Sequence, residues 1–320
     1  MTYRPWLHCW AVLTAVAVFP LVSVGGLVTS WRAGMVDPAG LRVPWHVFIV
    51  SWSEMTPAER FANGIEHGHR FLGWLVGVLA IALAIAMGCA GTGRSRWLGG
   101  AVLAGVSVQG VLGMLRVNLQ SAGWGLEFAM FHGFFGQVVF CLAAAAALVT
   151  SRTWLAETKV EVEDGQRIRR LATLTLGLML AQLLAGVWLR QEGRGNLGEM
   201  LFVHIFLALA VTAHVALLVI RVFKRRHRFT AVFQQPAAIL AALTIVQVGL
   251  GIAAWWSGAG RGALHYQASD TVLATFATAH VGTGALLLAT AFVIFLRSRH
   301  HLTVQTKPAF VPLTTAEGAA

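Results

Sequence analysis

The chain has 320 residues, of which 57% are apolar and only 12% charged, with a formal net charge of +11 at pH 7 and a mean hydropathy of +0.69. That balance lies outside the range of an ordinary soluble domain. The basic residues sit in short segments beside apolar stretches, where membrane topology and anionic lipid account for them, so the charge excludes nucleic acid as a partner and points to the lipid bilayer.

Apolar stretches of about 20 residues, the length that crosses a bilayer, recur eight times along the chain. They are expected at 9–29, 66–90, 97–116, 128–150, 171–189, 200–220, 236–256 and 272–296. The first lacks a clear small-residue cleavage motif and reads as a retained helix rather than a signal peptide. One side receives most of the Lys and Arg: Arg4, then Arg94 and Arg96, then Arg152, Lys159, Arg167, Arg169 and Arg170, then the run over 221–228, then Arg297, Arg299 and Lys307. Cytoplasmic loops carry this excess, so both termini are expected in the cytoplasm, and without a transit peptide the simplest location is a bacterial inner membrane. Cys9 and Cys89 fall near cytoplasmic ends and Cys141 within a span, so no disulfide is expected.

The polar segment 157–170 divides the spans into two sets of four. The expected fold is an all-α integral membrane protein, with eight transmembrane helices arranged as two pseudo-twofold-related four-helix bundles. Its parts are an N-terminal half over 1–156, a cytoplasmic linker over 157–170, a C-terminal half over 171–300 and a cytoplasmic tail over 301–320, expected to be disordered.

Each half repeats a pattern. Odd-numbered spans carry a Gln followed four residues later by Gly: Gln109 and Gly113, Gln182 and Gly186, Gln247 and Gly251. Such pairs share a helix face. The first span departs, with Gly25 and Gly26 but no Gln, and Pro20 marks a local kink. Even-numbered spans carry histidines at matching places near the outer end: His69, His132, His204 and His280. A single such histidine is readily explained by a hydrogen bond to a neighbouring helix, but four at matching places are not.

A flat macrocycle ligated by a helical histidine needs room on the same face. Gly73, Gly136, Ala208 and Gly284 follow the four histidines at the i+4 spacing that stacks side chains. His67 is followed instead by Phe71 and His214 by Leu218, so neither is expected to be a ligand, and His8, His227, His300 and His301 lie near or beyond the cytoplasmic ends. His46 and His265 lie in outer loops and stay open. Paired imidazoles in an apolar bundle suit a bis-histidine heme, with heme b the first choice, better than hard cations or a bare zinc ion. The geometry expected is His69 with His132 and His204 with His280, each pair within about 15 Å.

Glu66 precedes His69 by three residues and shares its face. It is a candidate proton acceptor or water-positioning group. The competing explanations are stabilisation of a helix N-terminus and an i,i+4 ion pair with Arg70. Arg70, Arg116 and Arg190 are candidates for a heme propionate, or snorkelling interfacial arginines. Trp45, Trp52, Trp124 and Trp188 collect on the same side, as an interfacial belt does.

The Glu-x-x-His-Arg run at Glu66–Arg70, with His132, His204 and His280 in spans four, six and eight, resembles the heme A synthase family over nearly the whole chain. The resemblance implies oxidation of a ring methyl of heme O to the formyl group of heme A, for cytochrome oxidase assembly. It implies that His69 and His132 hold the substrate heme, that His204 and His280 are axial ligands of a heme b, and that Glu66 serves the oxidation as the catalytic residue. The partners it implies are heme O, an electron donor or acceptor, and heme O synthase or oxidase assembly factors, with room for a homo-oligomer. Many members carry a cysteine pair in the outer loop that here spans 30–65; Ala33 to Pro38 loosely resembles that loop without a cysteine. Two rival readings stand beside it. A diheme cytochrome b-type electron-transfer protein needs the same four histidines but not Glu66, and a heme transporter or chaperone needs only the repeated halves.

Overall fold

The computed structural model describes residues 2–34, 36–37, 46, 51–93, 95–156, 160–161, 165–191, 197–224, 231–259 and 271–303. Among them are nine α-helices: α1 (Pro5–Ser30), α2 (Pro57–Ala90), α3 (Ser95–Asn118), α4 (Gly125–Val149), the short α5 (Arg152–Ala156), α6 (Gly165–Gln191), α7 (Leu197–Lys224), α8 (Ala231–Ala259) and α9 (Thr271–His301). All but α5 are long and apolar enough to cross a membrane. The chain is an all-α, multi-pass membrane protein, and the expected spans five to eight are α6 to α9.

The helices overrun the apolar stretches that predict them, most of all at α2, which starts at Pro57 rather than at 66. Thr56 and Glu59 form a reciprocal cap there: the Thr56 amide donates to Glu59 Oε2 at 2.7 Å and the Glu59 amide to Thr56 Oγ1 at 3.3 Å. Pro57 takes the first helical position, where its missing N–H costs nothing. Glu66 therefore lies well inside the helix, and the helix-terminus explanation for it fails.

Each half closes into a ring. Helix α1 packs on α2 and α4, and α3 sits between α2 and α4; likewise α6 packs on α7 and α9, with α8 between α7 and α9. The halves meet through α1 with α9, α4 with α6, and α4 with α9. Exchanging α1 for α6 and α4 for α9 maps this set of contacts onto itself, the signature of a pseudo-twofold interface. Helices α4 and α9 at its centre are the most buried spans, whereas α3, α7 and α8 turn large side chains such as Phe206, Ile245 and Trp256 outward.

In lipid, apolar surface alone does not bring helices together, and small residues at the contacts do. Gly99 of α3 lies so close to α2 that a Cβ there would stand 2.9 Å from the Leu83 carbonyl oxygen; at Gly105 it would stand 3.0 Å from Val139 of α4.

At the basic end the described parts of the linker and the tail pack together. Helix α6 already begins at Gly165, with Ile168 buried, and the Arg169 guanidinium donates to the carbonyls of Ser298 at 3.0 Å and of Leu302. Strand β1 (Val160–Glu161) pairs in parallel with β2 (Leu302–Thr303), and Trp154 stacks on His300 with ring centres 4.1 Å apart. The rest of the predicted tail, Arg94, Lys159, Lys307 and much of the 221–228 run lie outside the described residues. The three cysteines are free.

Candidate functional site

The four histidines predicted from the repeat come together in two pairs near the far, less basic end of the bundle. The rings of His69 and His132 lie 6.3 Å apart, centre to centre, and those of His204 and His280 also 6.3 Å apart. Two metal–nitrogen bonds of about 2.1 Å, each extended by roughly 1 Å from nitrogen to ring centre, span a little over 6 Å. The separation in both halves thus fits two imidazoles on opposite sides of one metal ion. Among the described residues no group of three or more His, Cys, Asp or Glu is arranged to hold a metal ion. A metal carried by a macrocycle needs only the two axial ligands.

Each ring rests on a glycine of the neighbouring helix. A Cβ at Gly25 of α1 would stand 2.9 Å from His69 Cε1; at Gly113 of α3, 3.2 Å from His132; at Gly186 of α6, 3.0 Å from His204; at Gly251 of α8, 3.1 Å from His280. These are the glycines of the Gln–Gly repeat, together with the exceptional Gly25. The small residues one turn beyond each histidine do something else: a Cβ at Gly136 or Gly284 would meet the amide of Gln109 or Gln247, at 2.5 and 3.1 Å, and Gly73 borders open space. The repeat is visible in the sequence but the role of its glycines is not, because contact between two helices leaves no spacing within either one.

The glutamines serve the same rings. The Gln109 amide donates to the His132 carbonyl at 2.9 Å, and the Gln182 amide lies 3.1 and 3.2 Å from the two ring nitrogens of His204. His280 Nδ1 donates to the Gln247 carbonyl at 3.1 Å while the Gln247 amide approaches Nε2 at 3.1 Å, an arrangement that leaves the acceptor on Nε2. A hydrogen bond at one imidazole nitrogen that frees the other is how ligating histidines are oriented. In α1 the corresponding position is Leu21. The His69 ring lies near the Leu21 backbone, and the buried Nδ1 atoms of His69 and His132 make no hydrogen bond.

The remaining histidines are engaged elsewhere. His67 Nε2 stands 3.1 Å from Asp37 Oδ2, with its ring edge-on to Trp52; His214 bonds the Ala210 carbonyl of its own helix; His8 meets Thr150. His46, left open by the sequence, approaches Asp37 Oδ2 at 2.8 Å. His227, His265 and Trp45 lie outside the described residues.

Glu66, only 3% exposed, accepts from Arg70 at 2.6 Å through Oε1 and from the Asp37 amide at 2.8 Å through Oε2. Arg70 also donates to the Asp37 carbonyl at 2.9 Å. The i,i+4 ion pair is therefore present, and it is part of a larger cluster that fastens the segment after α1 to α2. Asp37, 5% exposed, is its hub, and a lone acid in a loop carries no periodic signal in the sequence. Arg116 lies against Gly34, within electrostatic reach of Glu66, His69 and His132. Arg190 donates to the Gly26 carbonyl at 2.7 Å and to Ser30 Oγ at 2.5 Å, bridging α6 to α1.

Neither the family models nor the curated sequences compared with this chain match it.

Proposed function

We propose that the chain is a membrane oxidoreductase of the heme A synthase type, which oxidises the ring methyl of heme O to the formyl group of heme A. In this reading His69 and His132 hold the substrate heme, and His204 and His280 hold a heme b. The observation that carries it is the duplicated pair of imidazoles, each at the spacing of two axial ligands and each seated on glycine. The iron porphyrins supply the redox chemistry when bound, and the protein supplies ligation, orientation and the exclusion of water. The basic end faces the cytoplasm of a bacterial inner membrane, with both termini on that side.

The two sites differ by a carboxylate. Glu66 stands three residues before His69, whereas Ala129, Leu201 and Ala277 hold the matching positions before the other histidines. A carboxylate has about four acceptor sites, and Arg70 and the Asp37 amide, with the Val36 amide nearby, occupy most of them. What remains serves to accept from one water or take one proton beside the substrate ring. Arg70, held by Glu66 and Asp37, positions that carboxylate, and a propionate is a second partner for its fork.

Expression alongside heme O production, followed by pigment extraction and mass identification, tests this reading. The expected product is the formyl porphyrin together with heme b; heme b alone, with a functional electron donor present, would sink it. The engagement of Glu66 in the loop cluster favours a second reading, a diheme cytochrome b-type electron carrier in which that cluster is only structural. Glu66→Gln separates the two: synthase function requires that formyl production fall at least about a hundredfold with both heme spectra intact. Purified protein with no heme at all would favour a heme transporter or chaperone.

A further inference from the structure

Gly25 and Gly26 are neighbours on α1 that serve different halves of the molecule. Gly25 lies against the His69 ring, whereas a Cβ at Gly26 would stand 3.5 Å from Cγ1 of Val281, the residue after His280. The same arrangement recurs at the pseudo-equivalent place. Gly186 of α6 lies against the His204 ring, and the next residue, Val187, meets Gly133, the residue after His132, where a Cβ would stand 3.6 Å from Val187 Cγ1. Each of these two helices thus touches the imidazole of its own half with one residue. With the next it touches the helix that carries a ligand of the other half.

The partners are exchanged between the two crossings: glycine on α1 against valine on α9, valine on α6 against glycine on α4. Each crossing holds one isopropyl group and one bare backbone, so the helices approach closely without a clash. The first is tied further by Arg190 on the Gly26 carbonyl and by a 3.0 Å hydrogen bond between Ser30 and Thr278.

We propose that these two crossings are the coupling path between the histidine pairs: they set the separation of the two sites and carry an electron from one to the other. The inference rests on the reading that each pair ligates a heme. Only an electron moves. With a heme held by each histidine pair, the reduced site would give up one electron and the oxidised site would take it, and no bond or proton would change place. From His69 to His280 the route is one ring-to-glycine contact, one peptide, one glycine-to-methyl contact and one peptide, so bonds and packed contacts alternate along it. Gly26, Val281, Val187 and Gly133 act on the sites through other residues, as positioning residues.

The test uses the full-length, heme-loaded protein. Gly26→Val is compared with the double variant Gly26→Val/Val281→Gly, which rebuilds at the first crossing the large–small order found at the second. Optical and electron paramagnetic resonance spectra report ligation, and pulse radiolysis reports the rate at which an injected electron equilibrates between the hemes. With both bis-histidine spectra intact, the single variant is expected to slow equilibration on the order of tenfold and the double variant to recover most of it. An unchanged rate in the single variant, or no recovery in the double, overturns the path. Should Gly26→Val fail to assemble, Val187→Ala only removes methyl groups at the second crossing; a fall of about threefold supports the path and an unchanged rate overturns it. Wild-type protein without heme would overturn the functional reading and the path with it, whereas two intact hemes with an insensitive rate overturn the path alone.

Discussion

A glycine's lack of a side chain matters here at four places where an imidazole fills the space a Cβ would take. At Gly25 that space is tightest, 2.9 Å from His69 Cε1. Gly25→Ala is expected to displace the ring, lose heme from the N-terminal pair and cost about 1–3 kcal/mol, while the C-terminal pair keeps its spectrum. Gly73→Ala, one turn beyond the same histidine but facing open space, is expected to leave both spectra and the thermal midpoint unchanged. Heme content per protein, resolved by spectrum, separates the two outcomes. Equal behaviour of the two variants would refute the assignment of Gly25 as the cradle. The Asp37 cluster follows a different logic. One buried carboxylate gathers His46, His67 and Arg70, and its own amide holds Glu66, so a single loop residue orients the acid beside the predicted substrate ring.

At the scale of the element, helix contacts are decided by how near two backbones come. Gly99 places α3 against the backbone of α2, with the Leu83 carbonyl 2.9 Å and the Ala84 Cα 3.0 Å from where a Cβ would be. Backbone atoms cannot swing aside as a side chain can. Gly99→Ala is therefore expected to push α3 off α2 and to destabilise the N-terminal half by about 1–3 kcal/mol, whereas Gly100→Ala, with nothing nearby, is expected to be neutral. Thermal unfolding in detergent compares them directly. Helix α2 also shows how an end is set by its cap: Thr56 and Glu59 extend it well beyond its apolar stretch, which carries Glu66 from a helix terminus into a helix interior.

For the whole molecule, the interface between halves is a pseudo-twofold seam, made by α4 against α9 and flanked by α1 with α9 and α6 with α4. Arg190 spans that seam, with donors to Gly26 and Ser30 of α1 and a longer one, 3.4 Å, to the Ala277 carbonyl of α9. Arg190→Gln is expected to remove about 2 kcal/mol of stability, because hydrogen bonds from a charged donor are stronger than neutral ones. The measurable result is a lower thermal midpoint with heme ligation retained at the temperature of assay. Loss of the C-terminal heme without loss of stability would assign Arg190 to a propionate instead of the seam.

The class of the protein, its eight spans and the pairing of its halves were legible in the sequence, because lipid demands long apolar helices and a repeat writes the same residues twice. The four histidines were legible for the same reason, and so were the glutamines and glycines of three odd spans. The linear chain did not show that those glycines lie under the rings, that Leu21 takes the place of a glutamine, or that Asp37 reaches across to Glu66 and two further histidines. Nor did it show that adjacent residues of α1 and α6 touch different halves. These are contacts between segments far apart in the chain, where no periodicity links the partners, and only the packing of the two rings of helices brings them together.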